Sequence, residues 1–367
     1  MRVLIFSNEF PPRGGGAGIV AEQFAEKLNS RGVNVEVLTS CFPGRSYNYA
    51  YPVIEKKLIK KLWFLSYKKF NFDEYDIILL NDTISILVAG MFFSRERLSK
   101  TICMLHGSEP EYLLESVDIY KKILNVKYFF KKAIVQSFVT LAHSHYMKEK
   151  IISFDYFSEL SSNVKPFYFG YDDEVFHLKH DKSFDYRKIF NLPCESRILL
   201  TVSRVDKGKG FDDMLDIFEE LTKKDNSYYW FIVGNGDYEE YFGNKIKDKN
   251  LEDKVFLLGR RQKLELAELY RGADIFLLLS NYKESFGLVY MEAQACGLPT
   301  IGRNAFGVRE AIDHGVSGYL VDSNFNVLSI LLDHEYEKLK LENILKFTTQ
   351  FAVSVRAEEL MVILKNV

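Results

Sequence analysis

The feature that most constrains this chain is an alternation: short, continuously apolar runs of strand length take turns with longer segments whose apolar residues recur at helical spacing. The first series reads Met1–Ser7, Val33–Thr39, Asp76–Leu80, Thr101–Leu105 and Phe138–Ala142 as strands. Between the first two, Ala17–Arg31 reads as a helix, with Ile19, Phe24, Ala25 and Leu28 on one face and Gly32 as its stop. A second series reads Arg197–Val202, Tyr229–Val233, Val255–Leu258, Ile275–Leu279 and Pro299–Gly302. Strands apolar on both faces must be covered on both faces, which selects parallel sheet wrapped by helices. The expectation is an α/β chain of two doubly wound, Rossmann-like lobes facing a cleft. They would span residues 1–169 and 170–350, joined near Phe169–Asp172, with a terminal helix over 351–367 packing back on the first lobe. A length of 367 residues suits two such domains.

Composition excludes several alternatives. Hydrophobic residues make up 47%, enough for buried cores. The formal net charge of −2 argues against a nucleic-acid binder, which needs a broad basic surface. Charge is uneven: residues 1–170 hold 22 Lys and Arg against 17 Asp and Glu, whereas residues 171–367 hold 26 against 33. Only the first half leans towards an anionic surface. Cys41, Cys103, Cys194 and Cys296 are widely spaced, which fits a reducing cytoplasm better than a disulfide framework or a zinc site. No secretory leader and no apolar run near 18 residues is present, so a cytoplasmic enzyme is expected.

Open α/β sheets bind ligands beyond the carboxyl ends of their strands, so the loops there are where chemistry belongs. After the strand RILLTV comes Ser203-Arg204-Val205-Asp206-Lys207-Gly208-Lys209-Gly210, then a helix from Phe211. Arg204 and Lys209 flank a glycine turn at a helix start, the combination a diphosphate requires: a guanidinium fork, a point charge and free amides. A solvated basic loop has the same composition. After the strand IFLLLS comes Glu284-Ser285-Phe286-Gly287-Leu288, with a helix starting near Gly287 and Glu292 more than a turn inside it. The two carboxylates would address different parts of an extended ligand. Glu284 also suits simple complementation of the helix dipole, but Glu292 sits among small and apolar residues, where an ionised group needs a partner.

These residues resemble the large retaining glycosyltransferase family 4, whose members have the GT-B fold. The resemblance rests on Ser-Arg-x4-Lys-Gly followed by Glu-Ser-Phe-Gly-Leu-x3-Glu-Ala-x-Ala-Cys-Gly-Leu-Pro, and it extends over most of the chain. Gly14-Gly15-Gly16, His106-Gly107, Gly234-Asn235-Gly236, Gly259-Arg260 and Gly315–Val321 fall in the family's order. The resemblance implies a nucleotide-sugar donor and a carbohydrate or lipid-linked acceptor. It implies that Arg204 and Lys209 neutralise the diphosphate, Glu292 holds the ribose hydroxyls, Glu284 contacts the sugar and His106 lines the sugar site. Donor contacts would also come from Gly15, Gly16, Gly234, Arg260, Ser285, Phe286, Gly287 and Leu288. No catalytic metal or other cofactor is implied, since cations and a helix terminus do the electrostatic work. Two loops depart from the family pattern: His106-Gly107-Ser108-Glu109-Pro110, where relatives place an aspartate after the glycine, and Phe306-Gly307, where they carry paired glycines.

Other features stay open. Gly16-Ala17-Gly18-Ile19-Val20-Ala21 fits a dinucleotide pattern, but no acid ends the next strand to hold a ribose. His143 and His145 lack a third ligand and read as a core or surface pair. Lys56–Lys69 and Tyr120–Phe138 interleave lysine pairs with aromatics. In the second, Lys121, Lys122, Lys131 and Lys132 gather opposite Ile119, Ile123, Val126, Phe130 and Ile134. That pattern fits a core helix or a peripheral contact with anionic lipid. A nucleotide-sugar epimerase, a phosphorylase-like enzyme and a non-catalytic sugar-nucleotide-binding subunit are the alternatives on the same architecture.

Overall fold

A computed structural model describes residues 1–12, 15–42, 48–107, 109, 111, 113, 124–179 and 184–367. Gly14, Ser108, Pro110, Ile119, Lys121, Lys122 and Ile123 lie outside the described residues. The chain divides into two compact units, Met1–Gly170 with Val353–Val367, and Tyr171–Ala352.

The first unit carries a parallel sheet of β1 (Arg2–Phe6), β2 (Asn34–Ser40), β3 (Val53–Lys56), β4 (Ile77–Leu80), β5 (Thr101–Leu105), β6 (Val139–Ala142) and β7 (Val164–Pro166). Its order is β3-β2-β1-β4-β5-β6-β7. The chain winds outward from β1 in one direction and then restarts at β4 in the other, so β1 and β4 flank the switch point where an open sheet leaves a crevice. The central strands are buried on both faces, as their unbroken apolar runs require. Both edges escaped sequence reading, for β3 is only half buried and β7 is three residues with a proline at its end.

The second unit repeats the plan with β8 (Arg197–Val202), β9 (Tyr228–Val233), β10 (Val255–Gly259), β11 (Ile275–Leu278), β12 (Thr300–Arg303) and β13 (Gly318–Val321), in the order β10-β9-β8-β11-β12-β13. Here β8 and β11 flank the switch point. The terminal helix, Val353–Leu364, belongs to the first unit. Arg31 Nη2 donates to the Ser354 carbonyl over 3.0 Å, fastening it to the end of the helix Gly16–Ser30.

The two basic-aromatic stretches resolve differently. The helix Val126–Gln136 buries Val126, Phe130, Ala133 and Ile134 in the core. Its Lys132 is not a surface charge: Nζ donates to the carbonyls of Gly90 (3.0 Å) and Phe93 (3.1 Å), closing the end of the helix Thr83–Phe92. Lys56–Lys69 instead enters a 3-10 segment, Lys60–Tyr67, interrupted at Leu62. Among the described residues, no helix is long and apolar enough to cross a membrane.

Helices Thr83–Phe92 and Val126–Gln136 meet at Gly90, where an added Cβ would lie 2.0 Å from the Phe129 carbonyl oxygen. Gly90→Ala should therefore destabilise the chain by about 1–3 kcal/mol. Gly243→Ala, in the open interior of Glu239–Asp248, should stabilise it by about 0.5–1 kcal/mol. Urea unfolding midpoints of the two variants check the opposite signs.

Candidate active site

In the second unit, the loops after β8 and β11 are pressed together at the switch point. Gly210 adopts φ +78° and an added Cβ would lie 2.0 Å from the Leu279 carbonyl oxygen, so this approach is open to glycine alone. The Asn281 amide donates to the Gly208 carbonyl over 2.8 Å. The contact brings Lys209 and Glu284 together, 75 residues apart in sequence: Lys209 Nζ to Glu284 Oε1 is 2.5 Å. Ser280 Oγ donates to the same carboxylate oxygen over 2.7 Å, and Lys209 Nζ lies 5.5 Å from the Tyr282 ring centroid. Both charged side chains are less than one-fifth exposed. A cation held in this way has two N–H groups left for an incoming anion.

Arg204 leaves the same loop but stands apart. Its side chain is 75% exposed and its guanidinium reaches Asp206 over 3.0 Å. Gly234, at φ +137°, follows β9 against the Ser203 carbonyl oxygen, and its amide donates to Gly259 over 3.0 Å. These glycines gather the loops after β8, β9 and β10, with Arg260 exposed at their edge.

The helix Leu288–Ala295 starts from Gly287, which takes φ +102°. The Tyr290 amide donates back to the Gly287 carbonyl over 3.1 Å, and helical geometry leaves the Leu288 and Val289 amides outside the ladder at the same end of the sheet as Glu284. Phe286 is fully buried, its ring 5.2 Å from that of Phe351, so its side chain is a core element and only its backbone borders the loop. Ser285, Gly287 and Leu288 are partly exposed. The Phe306-Gly307 loop closes over this turn. Gly307 donates its amide to the Glu284 carbonyl over 3.0 Å and has no room for a Cβ beside the Ser285 carbonyl. Phe306 occupies the left-handed region at φ +54°, where the first glycine of the paired-glycine pattern would be unstrained.

Glu292 is held differently from Glu284. Tyr270 donates to its Oε2 over 3.2 Å, and burial pushes the carboxyl up to about 7; the tyrosine and the nearby Lys263 oppose that rise, and Asp172 adds to it. It therefore sits half-buried and poised between its neutral and ionised forms near neutrality. The structure joins Lys209 to Glu284 directly; Arg204, Arg260 and Glu292 make no direct contact with that pair.

In the first unit the switch point is organised by two residues sequence reading passed over. Asp82 accepts from the amides of Asn8, Glu9 (3.1 Å) and Ser85 (2.8 Å), tying the loop after β1 to a helix start. Asn81, fully buried, donates through Nδ2 to the Ala17 carbonyl (2.8 Å) and Ser7 Oγ (2.9 Å). A backbone carbonyl only accepts, so the amide orientation is settled, and Asn81 Oδ1 faces His106 Nε2 at 3.3 Å. That oxygen also only accepts. Neutral His106 therefore carries its proton on Nε2 and offers Nδ1 as an acceptor. Burial lowers its pKa to about 4, so it is neutral at pH 7.

The departure at His106-Gly107-Ser108-Glu109 has a structural reason. The buried Glu109 carboxylate accepts from the amides of His106 (2.6 Å) and Gly107 (2.7 Å), and Lys150 Nζ donates to the Gly107 carbonyl over 2.5 Å. The turn is clamped by an acid one residue further along. His143 is buried, stacked on Phe169 at 4.4 Å, and His145 is exposed. Gly15 caps the helix Gly16–Ser30, and the space around Gly16 is open.

Two parallel-sheet units with candidate sites at their switch points are the plan of the GT-B fold, and comparison with known proteins gives the class. Residues 14–160 match the family model Glycosyltransferase Family 4, and residues 182–332 match Glycosyl transferases group 1. The chain is a glycosyltransferase of this family 4/group 1 class. It is 28% identical over 335 residues to the N-acetyl-alpha-D-glucosaminyl L-malate synthase of Bacillus anthracis, covering 85% of this chain and 81% of that one. An uncharacterised glycosyltransferase of Methanocaldococcus jannaschii is 25% identical over 345 residues, 88% of this chain and 85% of the relative. Among solved structures, Anabaena HepE in complex with UDP and glucose superposes with a TM-score of 0.78 at 19% identity, each chain fully covered.

Asn81, Glu109, Lys150 and Tyr270 were missed because each acts on a neighbour that is distant in sequence or through the backbone. Only Glu109, an acid just past a strand end, left a local trace. The sign of the Glu292 effect is testable. Its folded pKa of about 7 exceeds the ordinary 4.5, so its contribution to stability is full below pH 4.5 and is lost as pH rises to 7. Glutamine does not titrate. Thermal unfolding of Glu292→Gln should match wild type's pH response below 4.5 and gain on it steadily between pH 4.5 and 7.

Proposed function

We propose that this enzyme moves a sugar from a nucleoside diphosphate donor to a carbohydrate or lipid-linked acceptor, with retention of anomeric configuration, in cytoplasmic synthesis of a glycan or surface polysaccharide. The observation that carries the donor reading is the Lys209–Glu284 pair at the second unit's switch point, beside the amides that open Leu288–Ala295. In this reading Lys209, Arg204 and those amides meet the diphosphate and the charge that grows on it as the glycosidic bond breaks. Arg204, exposed in the free enzyme, swings onto the phosphates. Glu284 contacts the sugar, and Glu292 accepts from two ribose hydroxyls. His106 presents Nδ1 to a sugar hydroxyl. Gly16 leaves room for a ligand at a helix start, and Gly234 and Arg260 border the nucleotide. No metal or other cofactor takes part.

The superposition on a UDP complex makes UDP the first nucleotide to test. The Bacillus anthracis relative, whose name describes a glucosaminyl conjugate of malate, favours a second reading in which the acceptor is a small hydroxy acid. A donor and acceptor panel separates the two by which acceptor is glycosylated. Release of a rearranged sugar without acceptor would establish an epimerase instead.

Hydroxyl donors favour the ionised carboxylate, so nucleotide binding should draw the Glu292 pKa down from about 7. Calorimetry at pH 7 in buffers of different ionisation enthalpy should show proton release on UDP binding, and affinity should rise as pH increases towards 7. Glu292→Gln should bind more weakly and release no proton; unchanged release would remove the ribose contact. Arg204→Ala should lower kcat by roughly 10²-fold, about 2.7 kcal/mol. Proton NMR of the wild-type product should show the donor's anomeric configuration.

A further inference from the structure

The 3-10 segment of the first unit exposes what a folded protein ordinarily hides. Ile59 just before it, Leu62 at its kink and Leu65 beyond the kink are 52%, 48% and 37% exposed. The segment is not loose, because Leu58, Trp63 and Phe64 pack against the core from its other side, and Ser66 Oγ accepts from the Ile59 amide over 2.9 Å. Phe64 stacks on Phe92, ring centroids 6.4 Å apart, and Phe92 is itself 37% exposed at the end of Thr83–Phe92. The exposed apolar residues thus come from two elements that touch through Phe64 and Phe92.

The segment itself carries charge of one sign. From Lys56 to Phe72 the chain contains six lysines and no acid. Lys57, Lys68 and Lys69, close in sequence to those apolar residues, are exposed; the side chains of Lys60 and Lys61 lie outside the described residues. None of this serves the sites already described, which lie in the loops after the strands. A protein partner would have to present a matching acidic rim around an apolar centre. A bilayer with anionic headgroups presents both by its nature, with acyl chains beneath the charge.

We propose that this face docks on an anionic membrane surface, with Ile59, Leu62, Leu65 and Phe92 entering the headgroup boundary and Lys57, Lys68 and Lys69 meeting lipid phosphates. The proposal deepens the lipid-linked acceptor reading and rests on it for its purpose, since a docked enzyme meets an acceptor confined to the same plane. The docking is peripheral and salt-sensitive.

Co-sedimentation of the full chain with vesicles of phosphatidylcholine alone, or mixed with phosphatidylglycerol, tests it. Binding should require phosphatidylglycerol and fall with added salt. Each lysine is worth about fivefold in affinity, so Lys57→Ser/Lys68→Ser/Lys69→Ser should bind on the order of a hundredfold more weakly. The chain's two tryptophans supply a second readout, because Trp230 is fully buried in the second unit and Trp63 lies in the docking segment. Bromine-labelled lipid should quench Trp63 fluorescence in wild type and not in Ile59→Ser/Leu62→Ser/Leu65→Ser. Both triple variants change exposed positions and should retain wild-type unfolding temperature and UDP affinity. Equal binding to neutral and anionic vesicles, no binding to either, or an unaffected lysine variant would overturn the proposal. Concentration-dependent self-association abolished by the apolar variant, without vesicle binding, would assign the face to a second copy instead. Failure of docking with transfer to a detergent-dispersed lipid acceptor intact would remove the surface and keep the acceptor reading. Docking with transfer only to soluble acceptors would do the reverse.

Discussion

The close approach of two loops at the centre of the second sheet is the contact on which the candidate active site depends. Parallel strands β8 and β11 lie side by side, yet their following segments run to opposite sides, so their first loop residues are the ones that can touch. They touch because Gly210 has no side chain to oppose the Leu279 carbonyl. That single backbone permission places the Lys209 ammonium against the Glu284 carboxylate. Gly307 repeats the device on the far side, where its amide and bare Cα press the next loop against Glu284 and Ser285. The glycines build the site and the charged residues occupy it.

Within that frame the titratable groups are given distinct states by their surroundings. Glu284 has a cation and a hydroxyl as partners. Glu292 has one tyrosine and a desolvating environment, which brings its proton affinity close to neutrality. In the other unit, His106 is held neutral by burial and in one tautomer by Asn81. A partnered carboxylate, a poised one and an imidazole with a defined acceptor nitrogen are different tools, although sequence shows only two glutamates and a histidine.

The 3-10 segment shows how far local geometry alters the meaning of a composition. Lysines among aromatics also occur in Val126–Gln136, where a 3.6-residue repeat turns the apolar side inward and Lys132 becomes a helix cap. Lys60–Tyr67 is instead broken by a kink at Leu62, and Trp63 and Phe64 pack on the core while Leu62 and Leu65 stay exposed. The same residue types therefore yield a core helix in one place and an outward apolar face in the other.

The alternation of apolar strands and helices determined the fold class and most strands by itself, because burial on both faces forces an unbroken apolar run that any reader of the chain can see. The edge strands β3 and β7 were not legible, since a half-buried or three-residue strand carries no such run. Lys209, Glu284 and Glu292 could be picked out by type and loop position, but not which of them would meet. Tertiary structure alone decided that Lys209 pairs with Glu284, that Glu292 keeps its proton near neutrality and that Asn81 and Glu109 discipline the histidine turn. The reason is physical: apolar patterning is written along the chain, whereas hydrogen bonding and desolvation depend on which atoms the folded backbone brings within about 3 Å of one another.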